Sequence, residues 1–255
     1  MVRLSARFVL ALFLVGSARA DWTVTTSQTE RGAVAGVEHH QIALIESETD
    51  ERATLDLALL SPKSATLRVI DNPRGEDNLA AVMRRKNCLA GVNGGYFDPE
   101  DKPVGLLISD GNVVAPLRKA RLLSGVMVVW NGRIQVLRVA EYSSKRKATA
   151  ALQCGPFLVD RGQPVPGLNE TRPARRTFIA TGGSDRAAIG FCSDVTLAQL
   201  GKILATPGIA PDLKVQRALN LDGGSSSAFW FAGERGPFSI SEQKTVRNFV
   251  AVVKR

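Results

Sequence analysis

Two apolar runs in this sequence stop abruptly at paired glycines beside groups that can ionise or hydrogen-bond. The first is Gly91-Val92-Asn93-Gly94-Gly95-Tyr96-Phe97-Asp98-Pro99, where a strand beginning near Cys88 ends in two glycines flanked by an amide, two aromatic rings and a carboxylate. Glycines let the backbone approach a ligand closely, and their unshielded amides can form an anion-binding concavity. Asn93 can donate to and accept from hydroxyl groups. The second run, Ala218-Leu219-Asn220-Leu221-Asp222-Gly223-Gly224-Ser225-Ser226-Ser227, ends in a carboxylate, two glycines and a series of hydroxyls. A carboxylate at a strand end beside flexible backbone suits hydroxyl recognition, metal ligation or acid/base work. A third stretch, Thr171-Arg172-Pro173-Ala174-Arg175-Arg176-Thr177-Phe178, leads a basic cluster into a strand, and an arginine fork can hold two phosphate oxygens at once. Each has an ordinary counterpart: Asn-Gly-Gly as a hairpin turn, Asp222 or Asp98 bonding its own loop, the arginines as a solvated loop.

Other chemistries fare worse. No G-x-S-x-G elbow surrounds Ser225 or Ser226, and the only histidines, His39 and His40, sit together in an alternating run that reads as a strand, so a serine triad is poorly supported. The three cysteines, Cys88, Cys154 and Cys192, form no C-x-x-C pair, which argues against a metal cluster. An oxidising compartment implies one disulfide and one leftover thiol. The sequence does not fix the pairing; Cys154 with Cys192 is the pair we favour.

The elements that must position these residues are mostly strands. Short β-branched runs occur at Gln41–Ile45, Thr66–Ile70, Gly125–Trp130, Ile134–Val139, Phe178–Thr181, Ala187–Phe191 and Val246–Val253. Asn131-Gly132 between two of them is a type I′ hairpin signal. Two helices are expected. Asn78–Arg85 places Leu79, Val82 and Met83 on one face, and Thr196 can cap a helix carrying Leu197, Leu200, Ile203 and Leu204 before Pro207 and Gly208. The expected fold class is α+β: a strand-rich mixed sheet with a few packed helices, in a single domain over residues 21–255.

Residues 1–20 read as a signal peptide, with Arg3 and Arg7 ahead of the apolar run Phe8–Gly16 and a small-x-small site at Ala18-Arg19-Ala20. That run is too short to span a bilayer, which needs roughly 20 apolar residues. The expected product is soluble and periplasmic or extracellular, without stable membrane insertion. Losing three arginines with the leader takes the net charge from +9 to +6. This modest excess is densest at Arg118-Lys119-Ala120-Arg121 and Lys145-Arg146-Lys147. It is compatible with a phosphate-bearing substrate and does not indicate a nucleic-acid protein.

In combination, Asn93-Gly94-Gly95-Tyr96-Phe97, Gly105 to Gly111, Gly155-Pro156-Phe157-Leu158-Val159, Arg176-Thr177-Phe178, Ala188-Ile189-Gly190 and Leu221-Asp222-Gly223-Gly224-Ser225 resemble the phosphodiester glycosidase family over about residues 88 to 253. The resemblance implies hydrolysis of a sugar-1-phosphate linkage, with a phosphorylated saccharide as partner and Asn93, Gly94, Gly95, Arg176, Asp222, Gly223 and Gly224 lining the site. Tyr96, Asp98, Ser225 and Ser226 join them as candidate substrate contacts. The expected roles follow: Arg176 and the amides of Gly94 and Gly95 hold the phosphodiester, while Asp222 and Asn93 position the sugar and the attacking water. A divalent cation such as calcium is the alternative partner for Asp222. Two other readings are a metal-dependent phosphodiesterase cleaving P–O, and a non-catalytic module that binds phosphorylated glycans.

Overall fold

A computed structural model describes residues 22–183, 185–210 and 212–255. The expected signal peptide lies outside the described residues. Three antiparallel sheets surround one central core. The eight-stranded sheet runs in the order Trp22–Arg31, Val37–Glu46, Arg52–Leu60, Ala187–Val195, Ala174–Gly182, Val215–Asn220, Phe157–Asp160, Gln163–Pro164. A second sheet, here the Leu107 sheet, runs Asn112–Ala115, Leu107–Ser109, Ala150–Cys154, Gly125–Trp130, Arg133–Arg138. The third, the Asn93 sheet, runs Gly236–Ile240, Phe229–Gly233, Ala90–Asn93, Asn248–Lys254, Ala65–Asp71. The expectation of a mixed sheet is therefore corrected. The strand pairings within the three sheets are antiparallel, both in hairpins such as Ala174–Gly182 with Ala187–Val195 and between strands remote in the chain such as Ala90–Asn93 and Asn248–Lys254.

Alternation along the strands builds the layers. Ala58 and Leu60 face the central core, whereas Leu57 and Leu59 face the opposite side of the eight-stranded sheet, as the two-residue period of a strand requires. That second face is covered by a helix from later in the chain. Helix α1, Leu79–Arg85, is capped by Asn78, whose side chain accepts the Ala81 amide at 2.8 Å. It buries Leu79, Val82 and Met83 on the outer face of the Asn93 sheet. A side chain at Gly91 would strike Met83 Sδ at 2.3 Å, so glycine there lets helix and strand meet. Helix α2, Leu197–Ala205, opens with a reciprocal box between Thr196 and Gln199 and lays Leu200, Ile203 and Leu204 on the eight-stranded sheet. Among the described residues no α-helix covers the outer face of the Leu107 sheet; the segment around Val139–Ala148, which opens with a short 3-10 turn, lies there instead. The hairpin at Trp130–Arg133 has the positive φ values at Asn131 (48°) and Gly132 (70°) that its sequence demands.

The expected disulfide is corrected too. Cys88, Cys154 and Cys192 are free, and each belongs to a different apolar cluster, so the sheets keep them apart. Burial raises all three thiols, Cys154 to about 12. Thiol titration without reductant is expected to find three thiols in denaturant and negligible reaction in the folded protein; two oxidised cysteines would contradict this arrangement.

Candidate active site

The strand Ala90–Asn93 is central in its sheet, Val215–Asn220 is interior in the eight-stranded sheet, and their ends meet. The Asp222 amide donates to the Gly94 carbonyl at 3.0 Å, and Asn93 Nδ2 donates to the Asp222 carbonyl at 2.7 Å. From the neighbouring strand Ala174–Gly182, Thr177 Oγ1 reaches Asn93 Oδ1 at 2.8 Å and the Asp222 carbonyl at 3.0 Å, while the Leu221 amide donates to the Thr177 carbonyl. The Ala228 amide completes the knot on Asn93 Oδ1 at 3.2 Å. Two glycine-flanked strand ends and the arginine strand, remote in sequence, are thus one structure.

This knot uses groups expected to face substrate. Asn93 is fully buried and its amide is occupied on both sides by the protein. The Gly94 amide donates to the Asn248 carbonyl at 2.8 Å and the Gly95 amide to Asn248 Oδ1 at 2.8 Å. The expected anion-binding concavity of Gly94 and Gly95 is therefore corrected: Asn248 takes both donors. Gly94 is required for another reason, since a Cβ there would lie 1.8 Å from Asn248 Oδ1.

The accessible face is built by Asp222, Gly223, Gly224, Ser225, Arg176 and Tyr96, all half-buried. Desolvation raises the Asp222 carboxyl above its usual 3.8, opposed in part by hydrogen bonds from the Ser226 side chain and the Gly223 amide, the latter at 3.0 Å. Gly224, at φ 63°, opens a short helical turn through Ser226, whose first amides have no partner within the turn. The Ser225 carbonyl anchors that turn to the amides of Gln243 and Lys244. Arg176 is clamped by two carbonyls: Nε donates to Val195 at 3.1 Å and Nη2 to Arg172 at 2.7 Å. Its Nη1 lies against Gly223, 3.3 Å from where a Cβ would stand. Burial lowers the guanidinium's pKa, yet arginine stays cationic.

Tyr96 joins the group through its hydroxyl, which donates to the Gly155 carbonyl at 2.6 Å and accepts from Asn220 Nδ2 at 3.3 Å. Burial holds the phenol far above its usual pKa, so it is neutral. Asp98 stands apart. Its Oδ1 accepts the amides of Glu100 and Lys102 and folds its own loop, the ordinary reading of Asp-Pro. Asn248, Thr177 and Asn220 were not singled out from sequence, although each is a polar residue within an apolar run, the signal that marks a buried hydrogen-bonding job. Among the described residues no group of three His, Cys, Asp or Glu side chains could hold a metal. Asp222 as a lone carboxylate does not fit a cation held by side chains.

A fold of this kind has counterparts among known proteins. Residues 86–253 match the family model for phosphodiester glycosidases, and the chain belongs to that family. Its fold is similar to the catalytic domain of zebrafish N-acetylglucosamine-1-phosphodiester alpha-N-acetylglucosaminidase, in a form auto-inhibited by its pro-peptide (TM-score 0.65, 15% identity, 94% of this chain and 86% of that one). It is also similar to a Synechocystis protein (0.58, 14%, 92% and 68%) and to a candidate exported protein of Burkholderia pseudomallei (0.52, 13%, 80% and 75%). Comparison with curated proteins gave no match.

Replacing Arg176 with lysine is expected to lower kcat/KM for a sugar-1-phosphodiester by about 10²-fold while the fold is retained. An ammonium keeps the charge but cannot span the Val195 and Arg172 carbonyls and still offer a fork. Steady-state release of sugar checks this, and wild-type kinetics in the variant would remove Arg176 from the site.

Proposed function

We propose that the protein is an exported hydrolase that breaks the C1–O bond of a sugar-1-phosphodiester. Export rests on the leader pattern of residues 1–20; no helix among the described residues is long and apolar enough to cross a membrane. The observation that carries the reaction is that Arg176 Nη1 lies against the backbone of Gly223, the neighbour in sequence of Asp222, whose carboxyl is half-buried with its pKa raised by burial. Arg176 holds phosphate oxygens, and the turn Gly223-Gly224-Ser225 lies beside them. Asp222 stays on the sugar side, where an anion is not repelled by phosphate. Water adds to C1 as the C1–O bond breaks; the bonding electrons leave with the phosphomonoester, and Asp222 takes the water's proton. Raising a carboxyl's pKa brings its basicity closer to the operating pH, which favours this role.

The leaving group explains why a single carboxyl suffices. A phosphomonoester with a second pKa near 6 departs as a stable anion, unlike the alkoxide that obliges ordinary glycosidases to use two carboxyls. Asn93 and Thr177 act by positioning Asp222.

Hydrolysis in oxygen-18 water tests the reading. Label is expected on the sugar's C1 hydroxyl. Label on phosphate would assign P–O cleavage, and prolonged incubation of a sugar-1-phosphodiester panel without any product would assign a binding module.

A further inference from the structure

The outer face of the Leu107 sheet carries a groove with an apolar floor. Helices α1 and α2 cover outer faces of the other two sheets, but among the described residues the cover here is the segment that follows Arg138, with a single 3-10 turn. It leaves a groove of about 790 Å³, within the size range of small-molecule sites. Leu106, Ile108, Val113, Pro116, Leu117 and Tyr142 line it. Of the five large apolar side chains exposed among the described residues, four (Val113, Val114, Leu117 and Leu122) fall in this short stretch of chain. Such clustering marks a binding surface more than chance exposure does.

Its rim is cationic. Arg146 and Lys147 line the groove and no carboxylate does. The adjoining strap from Pro116 exposes Arg118, Lys119 and Arg121. The nearby acids are already neutralised: Asp110 by the Arg68 fork at 2.7 and 2.6 Å, and Glu141 by Arg217 at 2.5 and 2.9 Å. A neutral apolar partner would leave the cations unused, and a simple polyanion would leave the apolar floor unused. An amphiphile with an anionic head uses both.

The strap also links the groove to the candidate active site. Gln153 pins Arg118 by both backbone atoms, its Oε1 accepting the amide at 3.0 Å and its Nε2 donating to the carbonyl at 2.7 Å. Farther along, the Leu122 carbonyl presses on Gly155, 2.0 Å from where a Cβ would stand, and Gly155 is the residue whose carbonyl holds Tyr96. We propose that the groove binds an anionic amphiphile, with the apolar chain on its floor and the anionic head on its rim.

Calorimetric titration of the full mature chain with dodecyl phosphate, below its micelle concentration, tests the groove. One saturable site per chain is expected, with dodecyl maltoside binding at least about tenfold more weakly and inorganic phosphate not saturating. The exposed-site variant Val113→Glu/Leu117→Glu and the rim variant Lys119→Glu/Lys147→Glu are each expected to weaken dodecyl phosphate by about tenfold or more, whereas Asp222→Asn binds it as wild type. Failure to saturate, equal binding of the maltoside, or unchanged binding in Val113→Glu/Leu117→Glu overturns the groove. So does a dimer in light scattering that this variant converts to monomer, which would give the face to a second copy.

Discussion

Replacing Asp222 with asparagine is expected to lower kcat/KM for a sugar-1-phosphodiester on the order of 10³-fold, the scale of a lost general base, without lowering the thermal midpoint. The two halves have one cause. Desolvation is the largest influence on the carboxyl and raises its pKa; hydrogen bonds from Ser226 and Gly223 only moderate it. A carboxyl whose pKa is raised by folding binds its proton more tightly in the folded chain than in the unfolded one. Its contribution favours folding below the unfolded value near 3.8 and is lost as pH rises through the raised folded value. At neutral pH the charged group therefore works against the fold. Asparagine removes the charge, keeps the shape, and can still accept from the Gly223 amide and meet the Ser226 hydroxyl. Sugar-release kinetics and a thermal melt check both halves. The wild-type acid limb of kcat/KM should fall through a pKa above 3.8, since the ionised form is the active one. Full turnover in the variant would take the reaction away from Asp222.

The strands were legible where short β-branched runs occur, as at Gly125–Trp130, Ala187–Phe191 and Val246–Val253, and both helices where caps and apolar faces coincide at Asn78 and Thr196. The segment from Asp21 to Asn87 offered little beyond two short strand runs and the helix beginning at Asn78. Yet Trp22–Arg31, Val37–Glu46 and Arg52–Leu60 form one end of the eight-stranded sheet. Trp22–Arg31 is almost wholly exposed, so it carries no alternating apolar signal, and its pairing with Val37–Glu46 is made by backbone. Sheet membership was illegible for the same reason: hydrogen bonds between strands leave no mark on residue type. The site showed the same division. Asp222, Arg176 and the glycines were visible because their types are unusual at strand ends. Who occupies the Gly94 and Gly95 amides was not, since Asn248 is remote in the chain and arrives only when the sheet forms. A glycine pair therefore served close packing where sequence logic alone expected anion binding.

Replacing Asn93 with alanine is expected to destabilise the protein by about 3 kcal/mol and to remove most of the activity with it. The side chain is fully buried and ties three strands through bonds to the Asp222 carbonyl, the Thr177 hydroxyl and the Ala228 amide. Alanine leaves the Ala228 amide without its acceptor in a dry interior, where an unsatisfied group costs about 1–3 kcal/mol, and opens a cavity as well. Thr177 can still donate to the Asp222 carbonyl, which limits the loss. Asn93→Asp separates the knot's two functions. An aspartate keeps the acceptor for Thr177 and Ala228 but turns an oxygen toward the Asp222 carbonyl, so the buried carboxyl must be protonated to fit. Its folded pKa is then raised, and its stability must fall as pH rises, whereas the loss in Asn93→Ala should hardly depend on pH. Chemical denaturation across pH reads this contrast. An Asn93→Ala chain as stable as the wild type, or an Asn93→Asp chain indifferent to pH, would mean that Asn93 does not tie the strand ends and that Asp222 is placed by something else.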